Sequence, residues 1–296
     1  MKRLLCALCL LALPALAVPA APKDDRPTLA KAVNLGKLNT ARDEDDPHVG
    51  SNGLVLYYSS NAGKKWDICV TRRPALNAAW PPGKPLEDYV QTDVDDRSVF
   101  ATREGVYPQY LYFATKKDRK VNNFDLWVAV KQGPRAAFSA PTPINAVCTE
   151  ADELHPWLSA DGKELYFSRK TKAGWRVFVS RRSGAVGAGG FGEAKLVEEL
   201  PADFHHVTLT PDGKTMYGQG LLGSGRWGLF RSVRAGNGWG KPVPLDELNH
   251  PESEVGDKSP CLSRDGAILY FASDRPGGKG GLDIWWVRTD QLRKAK

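Results

Sequence analysis

Two histidines one sequence repeat apart are the residues of this chain best suited to chemistry. His155 and His206 each follow a carboxylate at short distance, Glu153 and Asp203 respectively. Two imidazoles with a carboxylate are a common ligand set for a divalent metal ion. Hydrogen-bonded channel histidines are the alternative, and no tightly spaced metal motif accompanies the pair. We therefore predict no cofactor and no metal, with a divalent cation at His155 and His206 as the alternative.

Acidic residues recur at one place in every repeat, in loops that precede a short predicted strand. Around one axis they would form an acidic ring at a channel mouth, whereas a structural role as turn caps is the alternative. The loop at 273–281 offers an anion cradle or simply a long hairpin. The residues predicted to bind a ligand at this mouth are Glu44, Asp96, Glu153, His155, Asp203, His206, Asp257 and Arg275.

A fivefold repeat must position these residues. Turn glycines recur at similar spacing, at Gly53, Gly105, Gly162, Gly213 and Gly266. A short strand precedes each turn, two strands follow it, and an outer, often proline-bearing strand completes each repeat. Four-stranded antiparallel sheets repeated at this period are β-propeller blades. The sequence predicts an all-β, five-bladed β-propeller, with six blades as the alternative if a degenerate blade lies in a linker.

The two ends of the chain are predicted to complete the last blade together. The fifth repeat stops after its third strand, near Val287. The segment 32–38 resembles the outer strand of the other repeats. An N-terminal strand that closes the last blade would remove an open sheet edge, so we expect this segment to pair with the final strand.

The fifth repeat also carries a family resemblance. The segment 260–286 contains Asp265-Gly266, Leu269-Tyr270-Phe271 and Asp283-Ile284-Trp285. It resembles the TolB-like, WD40-like (PD-type) β-propeller repeat of bacterial envelope proteins. The resemblance implies a propeller that serves as a periplasmic or surface-exposed binding scaffold. It implies no single activity, because propellers host many functions.

The predicted organisation is an exported single-domain protein. Residues 1–17 have the basic start, apolar run and small-residue cleavage site of a signal peptide. We predict a flexible segment at 18–27, one β-propeller domain at 28–290 and a C-terminal tail at 291–296. The location is periplasmic or secreted, and no segment of the mature chain approaches the length of a membrane span. The three cysteines of the mature chain are expected to be buried free thiols, because an odd number cannot all pair.

The predicted function is non-catalytic binding. The chain has a net charge of +7, which suits an anionic surface, but export separates it from nucleic acid. No Gly-x-Ser-x-Gly motif is present, and no catalytic residue is assigned. We predict a monomeric scaffold that binds a protein, peptide or glycan of the bacterial cell envelope, with a peptide or protein ligand favoured. The alternative is a carbohydrate-active enzyme, either a glycosidase or a metal-dependent lyase, with its site in the propeller funnel.

Overall fold

A computed structural model shows five antiparallel sheets arranged as a closed ring around a central channel. It describes residues 29–86, 90–117, 122–184, 187 and 189–292, so the predicted signal peptide and flexible segment lie outside the described residues. The innermost strand of each sheet contacts the innermost strands of both neighbouring sheets. The all-β, five-bladed prediction is therefore confirmed, and the six-bladed alternative is wrong.

Each blade contains an inner strand, two middle strands and a short outer strand, and the first four blades use consecutive segments of the chain. After β1 (Val33–Asn34), the first blade contains β2 (Glu44–Val49), β3 (Val55–Ser60), β4 (Asp67–Arg72) and β5 (Lys84–Pro85). The second contains β6 (Asp96–Ala101), β7 (Gln109–Thr115), β8 (Asp125–Lys131) and β9 (Thr142–Pro143). The third contains β10 (Glu153–Leu158), β11 (Glu164–Thr171), β12 (Gly174–Arg181) and β13 (Lys195–Leu196).

The fourth and fifth blades vary this plan. The fourth contains β14 (His205–Leu209), β15 (Thr215–Leu221), β16 (Trp227–Ala235) and β18 (Val243–Pro244), with β17 (Gly238–Trp239) as an added hairpin partner of β16. The fifth contains β19 (Asp257–Leu262), β20 (Ile268–Ser273) and β21 (Asp283–Arg288), followed by a 3-10 helix at Thr289–Gln291. No helix among the described residues is long and apolar enough to cross a membrane.

The N-terminal segment closes the fifth blade, as predicted. β1 pairs antiparallel with β21, so that Val33 lies opposite Trp286. Asn39 accepts a hydrogen bond from the Ile284 N–H at 2.9 Å and donates one to its carbonyl, also at 2.9 Å. Leu38 is fully buried beside this junction. The two ends of the propeller therefore share one sheet, in which the N-terminal segment supplies the outer strand of the last blade.

The hydrophobic core is divided among the blade interfaces. Five clusters of buried residues each combine side chains from two adjacent blades, and the third of them joins the fifth blade to the first. The aromatic centres of the second strands supply its largest members, such as Phe113 and Phe271, because both faces of a blade are covered by its neighbours. Cys69, Cys148 and Cys261 are free; Cys148 is partly exposed and the other two are buried.

The inner strands share a bulge that the sequence did not indicate. Strand pairing shifts register after the second residue of four inner strands, for example between Asp45 and His48, and after the first residue of β14. The residue at the bulge has a positive φ in every blade, between 49° and 57°. These residues are Asp46, Ser98, His155, His206 and Ser259. A bulge re-aims a side chain, and a left-handed backbone at a non-glycine residue costs free energy, so five equivalent cases around one axis identify the channel centre as a special region.

Candidate functional site

The five bulge residues meet at the centre of the channel, one from each blade. The Asp46 carboxylate lies in the middle of this group: the Ser98 hydroxyl donates a hydrogen bond to Oδ2 at 3.0 Å, and Ser259 Oγ lies 3.4 Å from Oδ1. Nε2 of His155 and Nδ1 of His206 lie 3.6 Å and 3.8 Å from Oδ1. We call this group the central cluster. It places one carboxylate against two imidazoles in a buried environment.

Two cations neutralise the paired carboxylates beside the cluster. Arg97 donates from Nε to Asp46 Oδ2 and from a terminal nitrogen to Asp45 Oδ2, both at 2.9 Å, and Lys258 Nζ lies 2.9 Å from the same Asp45 oxygen. Burial by itself raises the pKa of both carboxyls, but Lys258 and Arg97 more than offset it and hold both pKa values below the usual range. Both aspartates are therefore ionised near neutral pH.

The histidines of the fourth and third blades form a stack. The rings of His155 and His206 are 3.8 Å apart at an angle of 13°, which confirms that neighbouring blades bring this pair together. Burial lowers the pKa of His206 to about 4 and that of His205 to about 3, and it also places the pKa of His155 well below the usual value. All three imidazoles are thus neutral near pH 7, the form in which imidazole binds a metal.

Four predicted site acids lie inside the inner strands, which corrects the expectation that they stand in loops before them. Glu44, Asp96, Glu153 and Asp257 are each the first residue of an inner strand, and all four are almost completely buried. Each accepts a hydrogen bond from a backbone N–H in the loop that precedes it; the donors are Thr40, Thr92, Thr149 and His250. These carboxyls therefore join the loop between two blades to the next inner strand.

The first three of these carboxyls make a second, equivalent bond. The hydroxyls of Thr40, Thr92 and Thr149 also donate to them, at 2.6 to 2.8 Å. Burial raises the pKa of Glu44, Asp96 and Glu153 nevertheless, because the desolvation of the charged form outweighs these bonds. Glu44, Asp96, Glu153 and Asp257 are turned into the protein, so these four carboxyls do not form a ring that faces the solvent.

The other predicted site residues also have structural partners. Asp203 accepts the Trp175 N–H at 3.0 Å and so links the fourth blade to the third. Arg275 is buried, donates to Asp257 at 2.6 Å and to the Leu248 carbonyl at 3.0 Å, and lies over the Phe271 ring. The turn-cap alternative describes Asp203 well. That any of these residues binds a ligand stays a prediction.

An open cavity lies at the opposite end of the channel, where the inner strands end. It has a volume of about 840 Å³ and we call it the lower cavity. Its walls include Phe100, Trp157 and Tyr110 and the strand ends Leu158 and Leu262. Charged residues surround this apolar wall, and they are Arg103, Asp161, Glu164, Asp212, Arg234 and Arg264.

A second, smaller cavity lies between the central cluster and the lower cavity. Its volume is about 20 Å³, and Asp46, His155 and His206 form part of its wall. His48, Phe100, Trp157, Thr208 and Cys261 line both cavities, so they form the boundary between the two. The described part of the channel therefore has a polar centre, an aromatic boundary and a wide cavity where the inner strands end.

Sequence reasoning found the two histidines and missed Asp46, Arg97, Lys258 and the lower cavity. One signal would have found Asp46. The central cluster occupies the position seven residues before each turn glycine, and counting back from Gly53 leads to Asp46 as counting back from Gly162 leads to His155. No sequence signal indicated which end of the channel holds the wide cavity.

A closed five-bladed propeller with a polar centre and one wide cavity is the class of protein that fold and site define. Its structure resembles the catalytic domain of a GH62 α-L-arabinofuranosidase from Coprinopsis cinerea, with a TM-score of 0.62 and 12% identity over 91% of this chain and 100% of that chain. An α-L-arabinofuranosidase from Podospora anserina in complex with cellotriose gives 0.60 and 11% over 90% and 98%. A protein described as TolB from Agrobacterium tumefaciens gives 0.52 and 12% over 88% and 85%.

At these identities the likeness establishes the shared propeller fold alone. The neighbours include both carbohydrate-active enzymes and TolB, so the predicted TolB-like character is supported only at the level of the propeller. No protein-family model matches the sequence, and no curated protein matches it either. The function must therefore be argued from the geometry of the site.

Proposed function

We propose that this protein is an exported carbohydrate-binding propeller that holds an oligosaccharide in the lower cavity. The observation that carries the proposal is the cavity itself: about 840 Å³, open at one end, with aromatic walls inside a charged rim. Ligand sites in proteins are concave, mainly apolar and supplied with a few well-placed polar groups. Export rests on the predicted signal peptide at 1–17, which would deliver the cavity to glycans of the cell envelope.

The aromatic wall suits the apolar faces of sugar rings. Phe100 and Trp157 are only partly buried, and their rings are 6.4 Å apart in an edge-to-face arrangement. Trp157 also packs edge-to-face on Tyr166 at 5.9 Å, so its ring is held in place before any ligand arrives. A rigid aromatic residue loses little conformational freedom on binding, which makes Trp157 the expected anchor.

The rim suits the hydroxyl groups of a sugar. Asp161 and Asp212 belong to adjacent hairpin turns, and each accepts a hydrogen bond from a hydroxyl two residues earlier, Ser159 or Thr210. These bonds lower the pKa of both carboxyls, so both are ionised acceptors at neutral pH. The guanidinium groups of Arg103 and Arg264 supply donors on the same rim.

The same carboxyls argue for binding over glycoside hydrolysis. A glycosidase needs one carboxyl that stays protonated near neutral pH in order to donate to the leaving group. Asp161 and Asp212 have the opposite shift, and Glu164 is engaged with Arg181 at 3.0 Å. The carboxyls with raised pKa values at the other channel end are bonded to threonines and turned into the protein. We therefore favour a binding function.

A peptide or protein ligand is the second candidate, and one observation favours it. Val106 at the cavity margin is 55% exposed, and the cavity wall continues from it through Pro108 to Leu158. An apolar surface of this kind also suits aliphatic side chains. The two candidates predict different results in a ligand screen. A peptide would bind the apolar wall and would tolerate loss of the Trp157 ring, whereas an oligosaccharide would not.

The experiment combines an oligosaccharide array with calorimetry. Cellotriose and xylotriose are the first probes, because structural neighbours of this chain are in complex with them. We expect the best oligosaccharide to lose binding by about 30-fold or more in Trp157→Ala, as for a central aromatic anchor. Trp175→Ala is the matched control, since this partly buried tryptophan lies at the other channel end, and it should leave the affinity unchanged.

The contrary outcomes are distinct. If the array shows no oligosaccharide binding while a random peptide library yields ligands that Val106→Ser weakens, the second candidate replaces the first. Release of reducing sugar during the titration would contradict the non-catalytic assignment. Both tryptophan variants must first show cooperative thermal unfolding, so that a lost signal is not a lost fold.

A further inference from the structure

The small cavity at the channel centre has the size of a single ion or water molecule. Its volume is about 20 Å³, and a site of roughly 10–15 Å³ is enough for one such particle. A water molecule or an ion at this position would face carboxylate and imidazole groups rather than hydrocarbon. The chemistry of those groups therefore decides what the cavity is for.

Three ligand atoms converge on it from three blades. Asp46 Oδ1 lies 3.6 Å from His155 Nε2 and 3.8 Å from His206 Nδ1, and the three residues each offer a ligand atom within 4.8 Å of the others. Around a tetrahedral ion with ligands at about 2.1 Å, neighbouring donor atoms are about 3.4 Å apart. The two separations from Asp46 Oδ1 are only slightly wider than this, so a small contraction together with rotation of one imidazole ring would complete the site.

The three atoms are not committed to strong partners within the described residues. His206 Nδ1 is buried and has no hydrogen-bond partner there. His155 Nδ1 lies 3.0 Å from Ser168 Oγ, which leaves Nε2 directed at the cavity, an arrangement that typically orients metal-bound histidines. Arg97 bonds the other oxygen of Asp46, so Oδ1 has only the Ser259 hydroxyl, at 3.4 Å.

We propose that Asp46, His155 and His206 bind one divalent transition-metal ion of the zinc type. Two imidazoles and one carboxylate suit Zn²⁺ and its neighbours better than Ca²⁺, which prefers six or more oxygen ligands. The fourth position would face the aromatic boundary with the lower cavity. The inference is independent of the proposed carbohydrate ligand, because metal binding is measured directly.

Two features of the centre shape this site. The imidazole planes are nearly parallel, so one ring must turn for both nitrogen lone pairs to reach the same ion. Arg97 and Lys258 already balance the two aspartates, and a divalent ion therefore adds net positive charge to a buried region. That charge favours hydroxide or an anionic ligand group at the fourth position, as at other buried cation sites.

The test is stoichiometric metal binding by the full chain. After dialysis against a chelator and removal of any affinity tag, Zn²⁺ is titrated by calorimetry and Co²⁺ by visible absorption. We expect one ion per chain, the d–d bands of tetrahedral Co²⁺, and a higher melting temperature with Zn²⁺ because the metal binds only the folded form. Ca²⁺ should produce none of these effects.

Matched histidine variants localise the site. His206→Gln should weaken Zn²⁺ by more than about 100-fold and abolish the thermal shift, since it removes a direct ligand. His205→Gln is the control, because this adjacent buried ring pairs with Gln219 and stacks on Trp175 away from the cavity. His155→Gln provides a second ligand variant should the first fail to fold.

The proposal is overturned by either of two results. The first is a wild-type chain that folds cooperatively and takes up no ion at Zn²⁺ concentrations well above about 1 µM, where such sites are normally filled. The second is equal Zn²⁺ affinity in His206→Gln and His205→Gln. In both cases oligosaccharide binding at the lower cavity can still be measured, so the two proposals fail separately.

Discussion

The two ends of the central channel use the same strands in opposite ways. At the upper end, where the inner strands begin, buried carboxyls such as Glu44 and Glu153 hold each inner strand to the loop before it. At the lower end the same strands separate around a cavity of about 840 Å³. The acids at the start of these strands bond the preceding loops, and the residues that line the cavity lie four and five positions further along the same strands.

The first position of the inner strands is similar in most blades, whereas the bulge position varies from blade to blade. The first position of the inner strands is acidic in four blades of five, and its role is the same in each: it accepts hydrogen bonds from the loop. The bulge position holds Asp, Ser, His, His and Ser, and it forms the central cluster. In this propeller, the position that keeps one residue type in most blades has a structural role. The position that varies between blades forms the cluster in which each blade contributes a different side chain.

The largest expected effect in this comparison is the loss of stability in Asp257→Ala. This variant leaves the buried guanidinium of Arg275 without its carboxylate, and breaking such a pair costs about 3–5 kcal/mol of unfolding free energy. Urea denaturation followed by tryptophan fluorescence measures the loss. Asp212→Ala at the lower end, where the side chain is exposed, should cost far less. Adding Arg275→Met to Asp257→Ala should restore part of the stability. Equal losses of unfolding free energy in Asp257→Ala and Asp212→Ala would contradict the distinction between the two channel ends.

A smaller effect should appear in three equivalent places. Thr40→Val, Thr92→Val and Thr149→Val each remove a hydroxyl that donates to a buried carboxylate, at about 1–2 kcal/mol apiece. Thr210→Val removes the same kind of bond, to Asp212, on the exposed lower rim, and it should change the unfolding free energy by less than about 0.5 kcal/mol. A single outlier among the three upper variants would show that the repeat does not impose a common role.

The smallest effect is a difference in pH dependence. Burial raises the pKa of Asp96, so its contribution to stability falls as pH rises from about 4 through the raised value. Hydrogen bonds from Thr210 and the Lys214 N–H lower the pKa of Asp212, so its contribution is present above about pH 4 and is lost as pH falls. The unfolding free energy of wild type relative to Asp96→Asn should decline as pH rises above about 4.

The corresponding comparison with Asp212→Asn should run the other way. The advantage of wild type over this variant should grow as pH rises towards about 4 and then level off. Its amplitude is small because solvent screens an exposed carboxylate. Chemical denaturation at each pH provides both curves, and slopes of the same sign would contradict the assignment of the two carboxyls to different environments.

Local sequence signals predicted most features of the fold. The dipeptides Asp161-Gly162, Asp212-Gly213 and Asp265-Gly266 supply left-handed turn residues, and the structure has a positive φ at each of these glycines. Prolines indicated edge strands, and β5, β9 and β18 are indeed outer strands that carry one. Closure by the segment 32–38 was predictable because an incomplete sheet and a spare strand of the same chain complement each other.

The site was predictable only in part. The stacked pair His155 and His206 followed from their common repeat position, but the carboxylate opposite them did not, because Glu153 is nearer in sequence and points elsewhere. A bulge reverses the direction of a side chain, and the pairing register that creates it depends on contacts between strands. Asp46 reaches the centre because it occupies the bulge position. Glu44 and Asp45, which precede it in the same strand, do not occupy that position.

The sequence by itself determined the number of blades, the order of their strands and the residues that meet at equal depth, because glycine turns and strand alternation act within a few residues. The tertiary structure alone decided which carboxyls are buried against the preceding loops, which one faces the histidines, and where the wide cavity lies. Those outcomes depend on how five wedges pack around a common axis. Desolvation and the distances between blades are properties of the assembled ring, and no single repeat contains them.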